Sequence, residues 1–183
     1  MATIICEGQD CTGKSLLISE LGIHFYNVET VHFGFPQGNT IEEKLHWQKM
    51  DFIKQFQNSE RIHTYGGNLL WDRSHIGEWT WAQKYRNYKP TWIWDLERLF
   101  DFDKRDDVYL ILMYAEPEFL VKVDDGKSFS NKLEDKEHEF LLFQEAFQLS
   151  SIKNKLPLKV DDNGNYRNKN ELLETVKNFI KMT

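Results

Sequence analysis

Cysteine is scarce in this chain of 183 residues, which contains only Cys6 and Cys11. Two cysteines are too few for a disulfide framework, and no spacing typical of metal ligands accompanies them. We therefore expect a reducing, cytoplasmic location. We interpret Cys6 as a small core residue and expect Cys11, which lies in a glycine-containing segment, to be exposed.

Long hydrophobic runs and an excess of basic charge are also missing. No apolar run is long enough to span a bilayer, and no basic region precedes the first apolar residues, so we expect neither a membrane association nor a signal peptide. The net charge is −6 and the pI is about 5.5. Because proteins that bind duplex nucleic acid usually present a basic face, this balance argues against a nucleic-acid partner.

The remaining composition is ordinary for one soluble globular domain, with 40% hydrophobic and 28% charged residues. Apolar runs that predict strands are Thr3–Cys6, Thr30–Phe35, Asn68–Trp71, Val108–Tyr114 and Leu156–Val160. Predicted helices follow residue 15 and span about 40–59, 91–100, 135–149 and 170–181. This alternation predicts an α/β fold with a parallel sheet that is covered on both faces.

The segment from Gly8 to Ser15 fits G-x-x-x-x-G-K-[ST], the phosphate-binding P-loop, between a predicted strand and a predicted helix. Glycines allow a tight turn and a close approach of the backbone to phosphate. Backbone N–H groups and the helix N-terminus then favour an anion. Lys14 can reach the β- and γ-phosphates, and the Ser15 hydroxyl can hold Mg²⁺. The alternative is a chance glycine-containing turn, which the strand–turn–helix context disfavours.

Two further segments follow predicted strands, at Phe35-Pro36 and Asp72-Arg73. The carboxyl ends of parallel strands meet at one edge of a sheet, where ligands bind, so we expect these segments to share a site with the P-loop. The polar stretch 122–139 contains the turn signal Asp124-Asp125-Gly126-Lys127. We interpret it as a lid over that site, with a plain surface loop as the alternative.

Asp72-Arg73 combines a carboxylate with a guanidinium at the end of an apolar strand. Arg73 offers a fork of donors that suits phosphate, and Asp72 can hold Mg²⁺-bound water or accept a proton. The alternative is a solvated ion pair. We expect His75 to be a packed or exposed histidine rather than a catalytic one, and Glu78 to complement a helix N-terminus.

Aromatic residues make up 14% of the chain and cluster around the predicted site. Such side chains can stack on a nucleobase, although most aromatics at helical spacing belong to a core. Phe52 and Phe56 illustrate the ambiguity, because their i, i+4 spacing fits core packing equally well. The clustered aromatics are Phe33, Phe35, Trp47, Phe52, Phe56, Trp79, Trp81 and Tyr85.

These motifs together resemble the thymidylate kinase family of nucleoside monophosphate kinases. Residues Glu7 to Ser15 fit its E-G-x-D-x-x-G-K-[ST] form of the P-loop, residues 35–40 resemble its F-P-x-R-x-T segment, and Asp72-Arg73 its D-R motif. Residues 108–118 resemble its fourth strand and the following turn, and residues 159–161 its last strand. The resemblance implies a P-loop NTPase-like three-layer α/β/α domain over residues 1–183, with a five-stranded parallel sheet.

The resemblance also implies an activity and a set of roles. The activity is transfer of the γ-phosphoryl of ATP, with Mg²⁺, to a deoxynucleoside monophosphate, dTMP first, in nucleotide biosynthesis; a homodimer is compatible with it. The implied catalytic residues are Lys14, Asp72 and Arg73, and the implied Mg²⁺ ligands are Ser15 and Asp72. The implied phosphate-binding residues are Gly8, Cys11, Thr12, Gly13, Lys14 and Ser15. The implied acceptor-binding residues are Asp10, at the sugar 3′-hydroxyl, Arg73, at the acceptor phosphate, and Phe35, Pro36 and Phe52.

The chain departs from the family at two places. Gly38 replaces the arginine of F-P-x-R-x-T, and Cys11 stands where some members carry another arginine. The expected lid contains no arginine either, so its cations are lysines: Lys122, Lys127, Lys132 and Lys136. These departures indicate an atypical member and leave the acceptor open.

Two other functions therefore remain alternatives. Asp72-Arg73-Ser74 also resembles the E-R-S motif of deoxynucleoside kinases, in which the carboxylate is the base, so the acceptor could be a deoxynucleoside or a modified base or end of DNA. A guanine-nucleotide switch is the third hypothesis, because residues 131–134 resemble N-K-x-D. Glu134 replaces its aspartate, however, and no D-x-x-G follows the third predicted strand.

Overall fold

The computed structural model describes residues 1–181 and is built around a parallel sheet of five strands. The spatial order is β2-β3-β1-β4-β5, and every neighbouring pair is parallel. The predicted α/β fold class with a five-stranded parallel sheet is therefore confirmed. The strands are β1 Thr3–Gly8, β2 Val28–His32, β3 Asn68–Asp72, β4 Val108–Tyr114 and β5 Asn154–Lys159.

Helices connect the strands, and a short antiparallel hairpin of β6 and β7 follows β5. In the described chain no helix has both the length and the apolar character needed to cross a membrane. The helices are α1 Lys14–His24, α2 Ile41–Thr64, α3 His75–Tyr85, α4 Trp92–Leu99, α5 Pro117–Val123, α6 Leu133–Leu149 and α7 Lys169–Phe179. The hairpin strands are β6 Asp161–Asp162 and β7 Asn165–Tyr166.

Alternating side chains of the central strands supply two separate cores. Ile4 and Cys6 of β1 face the cluster that includes residues of α1, α5 and α7, whereas Ile5 faces the cluster that includes residues of α2, α3, α4 and α6. This alternation follows from the two-residue period of a strand, and it produces three layers, α/β/α. Cys6 is fully buried, which confirms its interpretation as a core residue.

Two strands begin and end earlier than their apolar runs predict. β2 covers Val28–His32 instead of Thr30–Phe35, since the register with β3 ends where His32 pairs with Asp72. Phe33 and Phe35 therefore belong to the following loop. β5 covers Asn154–Lys159 and includes Pro157, which an edge strand tolerates because one side of its backbone needs no ladder partner.

Two helices carry little sequence signal, whereas the hairpin that follows β5 carries a clear one. α3 is buried on most of its circumference, from His75 to Thr80, so it lacks the one-sided pattern of a surface helix. α5 has only seven residues, too few for a periodicity to appear. The β6–β7 hairpin turns through Asn163-Gly164, both with positive φ, which is a recognisable hairpin dipeptide.

The stretch expected as a lid, 122–139, divides into three parts. Lys122 and Val123 end α5, residues 124–132 are irregular, and α6 begins at Leu133, earlier than predicted. We refer to residues 124–132 as the 124–132 loop. It lies beside the carboxyl edge of the sheet, where Ser128 approaches the P-loop residue Cys11.

Candidate active site at the carboxyl edge of the sheet

The carboxyl ends of three adjacent strands bring the predicted segments together. In the sheet register, Cys6 of β1 and His32 of β2 both lie beside Asp72 of β3. The residues that follow these positions are the P-loop, the Phe33–Pro36 segment and Arg73. The expected convergence of these segments on one edge is therefore present in the structure.

Two glycines give the P-loop its conformation. Gly8 has a φ of 141°, and a Cβ there would lie 1.9 Å from the carbonyl oxygen of Met113 on β4. Gly13 has a φ of 82° and is the N-cap of α1. Only glycine adopts these dihedral angles without strain, so the loop can turn tightly and direct the first turn of α1 at a ligand.

Lys14 is 5% exposed, and its ammonium group bonds to the loop itself. Lys14 Nζ donates to the carbonyl oxygens of Gly8 (2.9 Å) and Gln9 (2.5 Å). Burial, together with the neighbouring Arg73 guanidinium, lowers the pKa of Lys14 to about 8 against the opposing effect of nearby carboxylates. Among residues 1–181 no carboxylate is in direct contact with this buried cation, and a bound phosphate would supply an anionic partner.

Ser15 and Asp72, the two predicted Mg²⁺ ligands, are in contact. Ser15 Oγ donates to Asp72 Oδ2 at 2.5 Å, and His32 Nδ1 lies 3.0 Å from the same oxygen. Asp72 Oδ1 is buried and has no hydrogen-bond partner among the described residues. A hydroxyl beside a carboxylate with an unused oxygen matches the hard oxygen ligands that Mg²⁺ prefers, so these residues fit the ion.

Arg73 projects from the end of β3 across the P-loop. Its φ of 72° is unusual for a residue with a side chain, and it occurs directly before the N-cap of α3. Arg73 Nη2 donates to Asp10 Oδ1 at 2.6 Å, and the guanidinium lies 5.9 Å from the centre of the Trp81 ring. Burial opposes its charge, but the Asp10 and Glu7 carboxylates outweigh burial and raise the pKa of Arg73.

Glu7 fastens the P-loop to the start of α3, although sequence reasoning assigned it no role of its own. Its carboxylate accepts from the backbone N–H groups of Gly8 (3.0 Å), Ser74 (2.7 Å) and Gly77 (3.0 Å). Burial raises the pKa of Glu7, and Arg73 opposes that rise. In the sequence, the feature that could have pointed to a role for Glu7 is its position as the first residue of the E-G-x-D form of the P-loop.

A cleft of about 320 Å³ lies over the P-loop, and we call it the P-loop cleft. One wall is the P-loop and the start of α1, and the other is the 124–132 loop. Asp10, expected at the acceptor, lines this cleft. The lining residues are Asp10, Cys11, Gly13, Lys14, Ser15, Leu16, Arg73, Asp125, Lys127 and Ser128.

A second cleft of about 360 Å³ lies beside it, and we call it the aromatic cleft. The predicted acceptor residues Phe35, Pro36, Phe52 and Arg73 all line it. Arg73 thus borders both clefts. Other residues that line the aromatic cleft are Glu7, His32, Phe33, Gly34, Lys44, Gln48, Ser74, Glu78, Trp81, Tyr85, Arg86 and Phe129.

A polar network closes part of the aromatic cleft. Glu78 is 1% exposed and accepts from Arg86 and from the Tyr88 hydroxyl, and Arg86 Nη1 also donates to Gln48 Oε1 at 3.2 Å. Burial raises the pKa of Glu78, while Arg86 opposes the rise. Glu78 does lie in the first turn of α3, but its contacts make it part of the cleft wall.

His75 is buried and lies outside both clefts. Its Nε2 is 2.9 Å from Glu97 Oε1, and its ring packs against Phe56 and Trp71. Glu97 also accepts from the hydroxyl of Ser151. His75 therefore joins α3 to α4 as a packed histidine, in agreement with its interpretation from the sequence.

The P-loop residues Thr12 and Cys11 have partners both inside and outside the loop. Thr12 Oγ1 donates to Gln9 O at 2.8 Å, and the Cys11 carbonyl accepts from the Tyr166 hydroxyl at 2.7 Å. Cys11 is half-buried, not fully exposed as expected, because the 124–132 loop covers its thiol.

Among the lid lysines, Lys127 lines the P-loop cleft, whereas Lys136 is fully buried beside Asp124 and Glu139.

Comparisons with known proteins identify the fold through solved structures. No family model matches the chain, and no curated protein matches it. Among solved structures, the YorR protein of Bacillus subtilis, in complex with phosphorylated GDP, aligns with a TM-score of 0.67 at 16% identity over 99% of this chain and 96% of that chain. Thymidylate kinase from Candida albicans aligns with a TM-score of 0.60 at 14% identity, over 98% and 91%. The chain therefore has a thymidylate kinase-like fold.

Proposed function

We propose that the protein is an ATP-dependent kinase that phosphorylates a deoxynucleoside monophosphate, with dTMP as the first acceptor to test. The observation that carries the proposal is the position of Arg73, which borders the P-loop cleft on one side and the aromatic cleft on the other. A guanidinium at the junction of two clefts suits a phosphoryl group that passes between them. The thymidylate kinase-like fold supports the same assignment.

The P-loop cleft is the proposed donor site. The turn at Gly13 presents backbone N–H groups of α1, and Lys14 is a buried cation that a triphosphate would pair. Ser15 and Asp72 would hold Mg²⁺, which when bound offsets the negative charge of the phosphate oxygens. Lys127 of the 124–132 loop lies on the opposite wall, where its ammonium group is 3.6 Å from the Asp125 carboxylate.

The aromatic cleft is the proposed acceptor site. Trp81 and Tyr85 offer ring faces for a base, and Arg73 offers donors for the acceptor phosphate. Lys44 also lines the cleft, and its backbone nitrogen would lie 2.9 Å from a Cβ at Gly38. Lys44 therefore lies next to the position where the family has arginine, and in this proposal its side chain would provide positive charge to the cleft.

Transfer to a monophosphate needs positioning more than proton removal. An acceptor phosphate oxygen attacks the γ-phosphorus of ATP, the bond from that phosphorus to the β,γ-bridging oxygen breaks, and ADP leaves. The phosphate oxygen is already ionised near neutral pH, so no strong base is required. The side chains of Lys14 and Arg73 stabilise charge on the donor and acceptor oxygens.

Transfer to a hydroxyl group is the second candidate, on a deoxynucleoside or on a modified base or end of DNA. One observation favours it: Asp72 borders the site with a buried Oδ1 that has no partner within residues 1–181. A hydroxyl acceptor must lose its proton, and this carboxylate would then be the base.

The test is ADP release by the purified protein with ATP and Mg²⁺ against dTMP, other monophosphates, nucleosides and oligonucleotides. We expect the highest kcat/KM with a deoxynucleoside monophosphate. Lys14→Ala is the inactive control, since it removes the cation that follows the charge moving between the β- and γ-oxygens. Turnover that survives in Lys14→Ala would refute the kinase assignment, and faster use of a nucleoside or an oligonucleotide would refute the choice of acceptor.

A further inference from the structure

Phe129 fills part of the aromatic cleft from the 124–132 loop. Its ring stacks on Tyr85 at 4.8 Å between centres with an angle of 19°, and it lies 5.3 Å from Trp81 at 32°. Phe35 contacts it edge-on, also at 5.3 Å. The Phe129 side chain is 48% exposed and is held among three aromatic rings of the cleft.

This arrangement leaves no free ring face at Tyr85 on the side of the 124–132 loop. Stacked aromatic rings have centres about 4.5–7 Å apart, and Phe129 already lies at the near end of that range. For a base to fit between Tyr85 and Phe129, the distance between the centres of these two rings would have to be about twice the observed distance. A base that stacks on this face of Tyr85 must therefore replace the phenyl ring.

The slot that Phe129 occupies adjoins the proposed phosphate ligand. The Arg73 guanidinium lies 5.9 Å from the centre of Trp81, whose ring also contacts Phe129. A nucleotide whose phosphate meets Arg73 would extend along Trp81 toward Tyr85. Its base would then reach the place of the phenyl ring.

The part of the loop that carries Phe129 is fastened at its two ends. At one end the Asp124 side chain is nearly buried and lies 3.7 Å from Lys136 Nζ, and at the other Ser130 Oγ donates to Asp135 at 2.6 Å. Between these points Gly126 has a φ of 78°, and a Cβ on this residue would meet no other atom within 4 Å. Displacement of Phe129 therefore requires residues 125–129 to move between these two fixed ends, with loss of the contacts that Asp125 and Ser128 make with the Cys11 thiol, at 4.0 and 3.8 Å.

We propose that the Phe129 ring stands in for the acceptor base in the free protein and that a bound base displaces it. The proposal rests on the proposed function, which makes the aromatic cleft the acceptor site. Because the free protein is mostly in a closed form, the apparent affinity for an acceptor with a base is reduced by the fraction of molecules in which the slot is open. An acceptor without a base needs no such opening.

The test compares two ligands and three proteins. The dissociation constants of dTMP and of 2-deoxyribose 5-phosphate are measured by calorimetry for the wild type, Phe129→Ala and Phe129→Leu. We expect Phe129→Ala to bind dTMP about 2- to 10-fold more tightly than the wild type, which is the range for loss of one aromatic pair. The dissociation constant of dTMP for Phe129→Leu, whose new side chain is apolar but not planar, should lie between those of the wild type and Phe129→Ala. The affinity for 2-deoxyribose 5-phosphate should be the same in all three proteins.

Four results would overturn the proposal. Weaker dTMP binding by Phe129→Ala would mean that the ring stacks on the bound base. An unchanged dissociation constant, or absence of dTMP binding by all three proteins, would mean that the slot does not receive a base. Equal tightening for both ligands would mean that the variant only widens the cleft. Tighter dTMP binding without phosphorylation would instead refute the proposed function and support the slot.

Discussion

Lys14 should make the ligand-free protein less stable than it would be with an uncharged side chain of similar size. The ammonium group is nearly buried, and its acceptors within the described part of the chain are two neutral carbonyl oxygens and, at 3.4 Å, the Thr12 hydroxyl. Burial lowers its pKa from the ordinary value of 10.5 to about 8. We predict that Lys14→Met raises the stability of the free protein while it abolishes phosphoryl transfer.

The magnitude follows from the pKa of Lys14. Because each pKa unit corresponds to about 1.4 kcal/mol, the fall from 10.5 to about 8 corresponds to roughly 3 kcal/mol of destabilisation at neutral pH. Methionine removes this cost but takes the Lys14 donor away from the buried Gly8 carbonyl, which costs about 1–3 kcal/mol, whereas the Gln9 carbonyl still accepts from the Thr12 hydroxyl. We therefore expect a net gain of up to about 2 kcal/mol, or a rise in Tm of up to about 8 °C.

The difference in stability between the wild type and Lys14→Met should depend on pH. Between the folded pKa near 8 and the unfolded pKa near 10.5, the unfolded wild type binds more protons, so its stability rises with pH. The advantage of Lys14→Met should be complete below pH 8 and about 2 kcal/mol smaller at about pH 9.5.

Urea unfolding of both proteins at about pH 7 and about pH 9.5, without nucleotide and with a chelator, measures this difference. A variant that is less stable at pH 7, or an advantage that does not change with pH, would refute the reasoning. Added ATP should stabilise the wild type more than Lys14→Met, because the variant lacks the P-loop ammonium group that pairs with phosphate.

Three further predictions concern other residues of the site. Arg73→Ala should lower kcat/KM for the acceptor about 10²-fold with little change in the KM for ATP, and Arg73→Lys should recover part of the loss; a rise in the ATP constant alone would show that Arg73 is misplaced. Asp72→Asn should lower turnover of dTMP without removing a limb of the pH–rate profile, whereas a loss of about 10²–10⁴-fold and of the acid limb would identify Asp72 as the base for a hydroxyl acceptor. Gly77→Ala should destabilise the fold by about 1–3 kcal/mol, because its Cβ would lie 2.7 Å from Glu7 Oε2, whereas the matched control Gly22→Ala in α1, with its nearest contact at 3.7 Å, should be neutral or stabilising in thermal unfolding.

The strands could be predicted because burial on both faces leaves a continuous apolar run. β4 matches its prediction at both ends, Val108 and Tyr114, for this reason. The boundaries that shifted depend on partners far away in the sequence. β2 ends at His32 because its partner β3 ends at Asp72, and no local feature of residues 30–35 reports that register.

The candidate site likewise contains residues that could be predicted from the sequence and residues that could not. Lys14, Ser15, Asp72 and Arg73 lie together at one edge as the strand order requires, because a motif at a strand end needs only the parallel sheet to be placed. His32 and Phe129 carried no such signal. The approach of His32 to Asp72 depends on the β2–β3 register, and that of Phe129 to Tyr85 on the path of an irregular loop.

The missing arginine at Gly38 has a local structural cause. Thr40 caps α2 and Glu43 returns the bond to the backbone, a capping box that draws the first turn of the helix close to Gly38. A Cβ at Gly38 would lie 2.7 Å from Glu43 Cβ, and its φ of 140° also disfavours a side chain. An arginine at this position would therefore require a different start of α2. Positive charge in the aromatic cleft has to come from its other walls, where Glu78 already neutralises Arg86 and Lys44 has no carboxylate partner within salt-bridge distance among residues 1–181.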